Sequence, residues 1–194
     1  GGVGLFVIGA TSPTPGSGWM ENVSDAIVPR YRALAEAGRR HGTRVFAQLC
    51  HPGFKPLPGI PIIEDAPSAP SEAVRGRPVP ARRHVPSEDE LTALAAAFGA
   101  AAGRAAEGGV DGVELHAHES FLHAQFLNPL WNTRGDRYGG SLENRLRFVV
   151  ETLSAMRAAI GDLPLGLRMK ADDMAQRGMG PEEVARALGL LEAT

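Results

Sequence analysis

Short apolar runs flanked by glycine or proline alternate along this chain with longer stretches whose apolar residues recur at helical spacing. The short runs are Leu5 to Ala10 (LFVIGA), Arg44 to Cys50 (RVFAQLC), Gly112 to His116 (GVELH) and Leu165 to Met169 (LGLRM). Near-continuous apolar segments of this length suit strands of a parallel sheet, which are covered on both faces. The stretches between them read as helices. The first runs from about Ala26 to His41, with Pro29 in its first turn, where a missing N–H costs nothing, and Gly42 closing it. Ser87-Glu88-Asp89-Glu90 forms a capping box for a helix reaching about Glu107, and Gly108-Gly109 end it. Ser141 caps a helix from Leu142 to Ile160, in which Leu146, Val149, Val150 and Leu153 share one apolar face. Pro181 opens a last helix.

Strict alternation of strand and helix predicts an α/β fold with a parallel sheet and right-handed crossovers. The irregular segments fall after the C-terminal ends of strands, where open α/β sheets and (βα)8 barrels both place their active sites. The longest, over residues 51–86, is rich in proline and has little periodicity; a loop of that length usually carries function. No G-x-G-x-x-G follows the first strand, which weighs against a nicotinamide-dinucleotide fold. Four βα units are half of the eight that close a barrel.

The composition narrows the classes. The 194 residues are 43% hydrophobic and 22% charged, as in a globular domain, and the net charge of −2 gives no basic field for nucleic acid or an anionic membrane. The Arg75 to Arg83 stretch is interleaved with prolines and reads as a solvated loop. The longest apolar run, Leu91 to Gly103, is too short for a membrane span. Cys50 is the sole cysteine, so no internal disulfide forms, a reducing compartment is the default, and this chain alone cannot hold an iron–sulfur cluster. With no signal peptide visible, the expected location is the cytoplasm.

Polar residues on otherwise apolar strand ends are the candidates for chemistry, because burying them without partners is costly. They are Gln48, Glu114, His116 and Arg168. Arg168, between Leu167 and Met169 in a strand expected to be buried, calls for an anion or an electron-rich ligand, or for an internal ion pair with Glu114. His116 and His118 form an H-x-H pair whose members face one way on a strand; with Glu119 they could hold a metal, as in a (βα)8 hydrolase.

A longer pattern is more specific. Gly112 to Phe148 reads GVELHAHESFLHAQFLNPLWNTRGDRYGGSLENRLRF. It resembles the signature region of Old Yellow Enzyme and 2,4-dienoyl-CoA reductase relatives, in which G-V-E-I-H is followed by Q-F-L-x-P and N-x-R-x-D-x-Y-G-G-S-x-x-N-R-x-R-F. Gln125-Phe126-Leu127, Pro129, Asn132, Arg134, Asp136, Tyr138-Gly139-Gly140-Ser141, Asn144-Arg145 and Arg147-Phe148 match in order. Upstream, Gln48 to Gly53 resembles that family's Q-L-x-H-x-G and Ala66 to Ala69 its A-P-S-A; downstream, Gly166-Leu167-Arg168 resembles its G-V-R.

The resemblance implies a (βα)8 barrel of which residues 1–194 are an incomplete FMN-binding domain, lacking the first strand and the C-terminal phosphate-gripping strands. It implies FMN, with NADH or NADPH as reductant, and an α,β-unsaturated carbonyl or acyl-CoA as the small-molecule substrate; a homo-oligomer is compatible with it. Ala10 would meet the flavin by its backbone, Gln48 would bond the pyrimidine edge, and Arg168 would sit by N1 and O2. His116 fills the first place of the pair that polarises the substrate carbonyl. The second falls on Glu119 in place of His or Asn, as in the dienoyl-CoA reductase branch, and the proton-donating tyrosine is replaced by Phe121. Either His118, Glu119 or His123 takes over that proton, or another loop does, or the alkene-reducing half reaction is lost. The remaining motif residues read as a polar knot fixing the loop to the Ser141 helix. Two other readings stay open: a non-catalytic remnant or assembly part, and the metal-dependent hydrolase.

Overall fold

The computed structural model describes residues 2–16, 20–53, 84–118, 121–174 and 178–192. Five strands, β1 (Leu5–Ser12), β2 (Met20–Glu21), β3 (Arg44–Leu49), β4 (Gly112–Ala117) and β5 (Leu165–Met169), form one sheet in the order β2-β1-β3-β4-β5. The β1–β2, β1–β3 and β3–β4 pairs are parallel. The helices are α1 (Val28–Arg40), α2 (Glu88–Glu107), α3 (Leu122–Leu127), α4 (Leu142–Ile160) and α5 (Pro181–Glu192), with a 3₁₀ turn at Asp25–Ile27 before α1. None of the described helices is long and apolar enough to cross a membrane.

The chain divides into two units. Gly1–His51, Ala93–His116 and Thr152–Arg168 make the first; Pro52–Thr92, Ala117–Glu151 and Met169–Thr194 make the second.

In the first unit one face of the sheet is dry. Ala47 and Leu49 of β3 pair in register with Val113 and Leu115 of β4, and these four are buried together with Val45. Helices cover this face closely because small residues let them. A Cβ on Gly38 of α1 would overlap Val45 and the Thr43 carbonyl, and one on Gly99 of α2 would stand 2.8 Å from the Ala155 carbonyl of α4. The alanine-rich middle of α2 serves the same packing, with Phe98, Ala101, Ala102 and Ala105 fully buried. A buried polar set ties the strands to the helices: Tyr31 OH lies 3.0 Å from Thr11 Oγ1, and Asn22 Nδ2 donates to Tyr31 OH at 3.0 Å and to the Ala101 carbonyl at 2.9 Å. Burial raises the Tyr31 pKa, keeping the phenol neutral.

The second unit contains the motif loop. The capping box forms reciprocally, Ser87 N–H donating to Glu90 Oε2 at 2.7 Å and Glu90 N–H to Ser87 Oγ at 3.2 Å. Asn144 N–H reaches Ser141 Oγ at 3.3 Å at the start of α4. Asn132 Nδ2 donates to the Phe126 and Tyr138 carbonyls, both at 2.7 Å; Arg134 bonds Asp136 and the Pro86 carbonyl; Asn144 Nδ2 donates to the Gly139 carbonyl at 3.1 Å. Arg145, nearly buried, donates to the Leu127 and Gly140 carbonyls at 2.7 Å each and pairs with Glu183 at 2.5 Å. The Arg134 guanidinium holds the Asp136 carboxyl below its usual range. This is the polar knot expected of the motif residues.

Two elements depart from the expected pattern. The stretch after β4, read as loop, contains α3, whose six residues are all buried. An element covered on every side shows no amphipathic period, and its polar His123 and Gln125 disguise it further. The two-residue β2 falls next to the Gly/Pro/Ser stretch read as loop; it is held by pairing Thr11↔Met20 and Ser12↔Glu21, too short for any periodicity.

Candidate functional site

The face of the sheet opposite the dry one carries the polar strand-end residues of the first unit. Register pairs Phe46 with Gly112 and Gln48 with Glu114, so these four share a face. A Cβ on Gly112 would overlap the Phe46 ring, which closes the lower part of that face. Above it the face opens: Glu114 and His116 are half-buried and Arg168 is exposed.

The edge of this opening is shaped by a bulge in β1. Ile8 pairs with Ala47 and Thr11 with Leu49, so Gly9 and Ala10 together stand opposite Gln48. Bulges re-aim strand residues and are frequent beside active sites. Gly9 is exposed, and among the described residues nothing lies within 4 Å of where its Cβ would be. Thr11 Oγ1 donates to the Gln48 carbonyl at 3.1 Å, and Cys50 N–H donates to the Thr11 carbonyl at 3.0 Å, so both sides of Gln48 are pinned to β1. The Gln48 side chain is 8% exposed and donates from Nε2 to Glu114 Oε1 at 2.5 Å. Gly166 of β5 flanks Glu114, its Cβ position being 3.7 Å from Glu114 Cγ. Arg168 lies two residues further along β5 and therefore on the same face.

Ala10, Gln48, Glu114, His116 and Arg168 thus belong to one open strand-end face. Two expectations for Arg168 are corrected. It is exposed, and it makes no hydrogen bond or ion pair among the described residues, Glu114 being engaged with Gln48.

Burial also acts on the residues after β3. It pushes the Cys50 thiol pKa up, so the thiol stays protonated and unreactive, and pushes the His51 pKa down to about 4, so the imidazole is neutral at pH 7.

In the second unit the candidates part company. His118 follows β4 and is half-buried, whereas Glu119 lies outside the described residues, as do Ala66 to Ala69. Phe121 is buried at the entry to α3. His123 is fully buried and stacks on Phe148 with ring centroids 4.6 Å apart and 6° between planes. It packs in the core of the second unit. Gly53, with φ +62°, presses against the Gln125 side chain, which would overlap any Cβ there; two separate motif segments meet at that point. Among the described residues no group of three or more His, Cys, Asp or Glu is arranged to hold a metal ion.

Parallel βα units with a polar, open face at the strand ends define a chain of the (βα)8-barrel class. The family model described as NADH:flavin oxidoreductase / NADH oxidase matches residues 1–194, and the chain belongs to that family. It is 35% identical over 203 residues to the N,N-dimethylglycine/sarcosine dehydrogenase of Chromohalobacter salexigens, covering 100% of this chain and 29% of that protein. It is 30% identical over 204 residues to the NADPH dehydrogenase of Clostridium acetobutylicum, covering 99% of this chain and 57% of that one. Among solved structures, 2-naphthoyl-CoA reductase in complex with 2-naphthoyl-CoA superposes with a TM-score of 0.83 at 28% identity, over 96% of this chain and 31% of the other. The chain therefore spans between about a third and somewhat over half of the length of these relatives.

Proposed function

We propose that this chain carries the flavin-edge and substrate-facing residues of an FMN-dependent NAD(P)H oxidoreductase of the ene-reductase type. The observation behind this reading is the strand-end face: a pinned amide at Gln48, an exposed glycine at Gly9 and, at Arg168, an exposed cation with no partner among the described residues. A flat ring with a polar edge and an electron-rich end fits that set. Bound FMN would supply the hydride chemistry, accepting hydride from NADH or NADPH and delivering it to an activated C=C bond.

The chain's own groups have defined tasks. Gln48 would bond the pyrimidine edge. The Arg168 guanidinium would lie by N1 and O2, where a fixed cation offsets negative charge developing on the ring. The Ala10 backbone, displaced by the bulge, would approach the ring from the β1 side. His116 would donate a hydrogen bond to the substrate carbonyl, with Glu119 or His118 as its companion, and one of these two would move the proton that Phe121 cannot. The small-molecule substrate is an α,β-unsaturated carbonyl, and the Glu at position 119 favours an enoyl- or dienoyl-CoA; the likeness to a naphthoyl-CoA reductase supports that choice. We place the whole protein in the cytoplasm.

The test is spectroscopic. The whole protein should purify with a flavin absorbance band, bleach under anaerobic NADH or NADPH, and recover colour on addition of an enoyl-CoA. Absence of flavin contradicts the reading. A second reading, a flavin-binding chain without alkene reduction, draws on the buried Phe121 at the tyrosine place; bleaching without recovery by any unsaturated carbonyl would favour it.

A further inference from the structure

A primary amide has two orientations related by a half-turn about its last torsion, and they offer opposite donor–acceptor patterns to whatever meets them. At Gln48 the choice is made by a neighbour. The amide lies 2.5 Å from Glu114 Oε1, and an ionised carboxylate has only acceptors, so the nitrogen must turn toward it. With one N–H committed, Oε1 and the second N–H remain for a ligand, an acceptor beside a donor. The Gln48 backbone is held independently, by Thr11 Oγ1 on its carbonyl and by Cys50 N–H on the Thr11 carbonyl. Glu114 in turn sits in register with Gln48 and is flanked by Gly166 of the next strand.

We infer that Glu114 is a positioning residue that locks the Gln48 amide in one orientation and thereby selects a ligand edge presenting an N–H beside a C=O. In the flavin reading, on which this inference rests, that edge is N3–H with its adjoining carbonyl. Glu114 touches no ligand in this role; it acts through Gln48.

The measurement compares FMN with N3-methyl-FMN, in which the donor is removed, by fluorescence titration of the whole protein. The native protein should prefer FMN by about tenfold or more, the discrimination expected when a hydrogen bond is lost in a desolvated site. Glu114→Gln keeps the size but can donate as well as accept, so it frees the amide to rotate. The preference should then fall to about threefold or less. A merely structural role for Glu114 would weaken both ligands alike and leave the ratio unchanged, and that result overturns the inference. If Glu114→Gln fails to fold, ¹⁵N-labelled FMN in the native protein gives the answer: an N3 proton protected from exchange supports the lock, and one exchanging at the solvent rate overturns it. A native protein that takes up no FMN overturns the flavin reading together with this inference, whereas uptake with an unchanged ratio overturns this inference alone.

Discussion

The densest run of family-like residues and the residues best placed for chemistry are different parts of this molecule. Between Asn132 and Arg147, almost every polar side chain of the second unit is committed to a backbone carbonyl or to a neighbouring side chain. On the open face of the first unit, Gln48 and Glu114 bond one another and Arg168 bonds nothing among the described residues. A loop without a regular ladder must satisfy its carbonyls with side chains, and only particular residues at particular spacings can do so. Such a loop therefore has a strong signature whether or not it touches a ligand. The open face needs few residues, drawn from three strands far apart in sequence, and its signature is faint.

If that contrast is right, mutations should separate stability from flavin binding. The largest effect on stability is expected from Arg145→Ala, which leaves the Leu127 and Gly140 carbonyls and the Glu183 carboxylate without their donor. Removing one partner of such a buried pair costs about 3–5 kcal/mol, measurable by urea unfolding. A loss under about 1 kcal/mol would mean the knot is dispensable.

The next effect is a pH dependence. The folded His51 pKa, about 4, lies below the unfolded value, so on acidification the unfolded chain takes the proton first. Stability from this group is complete above about pH 6.5, declines as pH falls towards 4, and is flat below, a total on the order of 3 kcal/mol. His51→Gln should remove that part of the acid slope; an unchanged slope would contradict the burial of a neutral imidazole.

The smallest stability effect should come from Arg168→Ala, within about 0.5 kcal/mol for an exposed side chain without partners among the described residues. Its effect on FMN should be disproportionate, a loss of about tenfold in affinity. Equal insensitivity of stability and binding would place the flavin elsewhere.

Much of the fold was legible in the chain. Leu142–Ile160 and Leu165–Met169 appear with the bounds their periodicity and caps suggest, and Ser87 and Glu90 cap as their spacing requires. These are local properties. What escaped was set by tertiary context: α3 is hidden by its all-round burial, and β2 by its length. The site was half legible. Gln48, Glu114, His116 and Arg168 stand out as polar residues at apolar strand ends, but which of them pair depends on strand register and on the β1 bulge. Hence Glu114 bonds Gln48 and not Arg168, which was one of two partners open to that arginine, and an arginine expected inside the sheet proved exposed.

The claim that the open strand-end face is the flavin site is tested most directly by titrating FMN into the whole protein and its Gln48→Ala variant, with urea unfolding of both. The account predicts a loss of affinity of about tenfold or more with stability changed by less than about 1.5 kcal/mol, the usual scale of one hydrogen bond. Unchanged FMN affinity in a folded Gln48→Ala protein would contradict it.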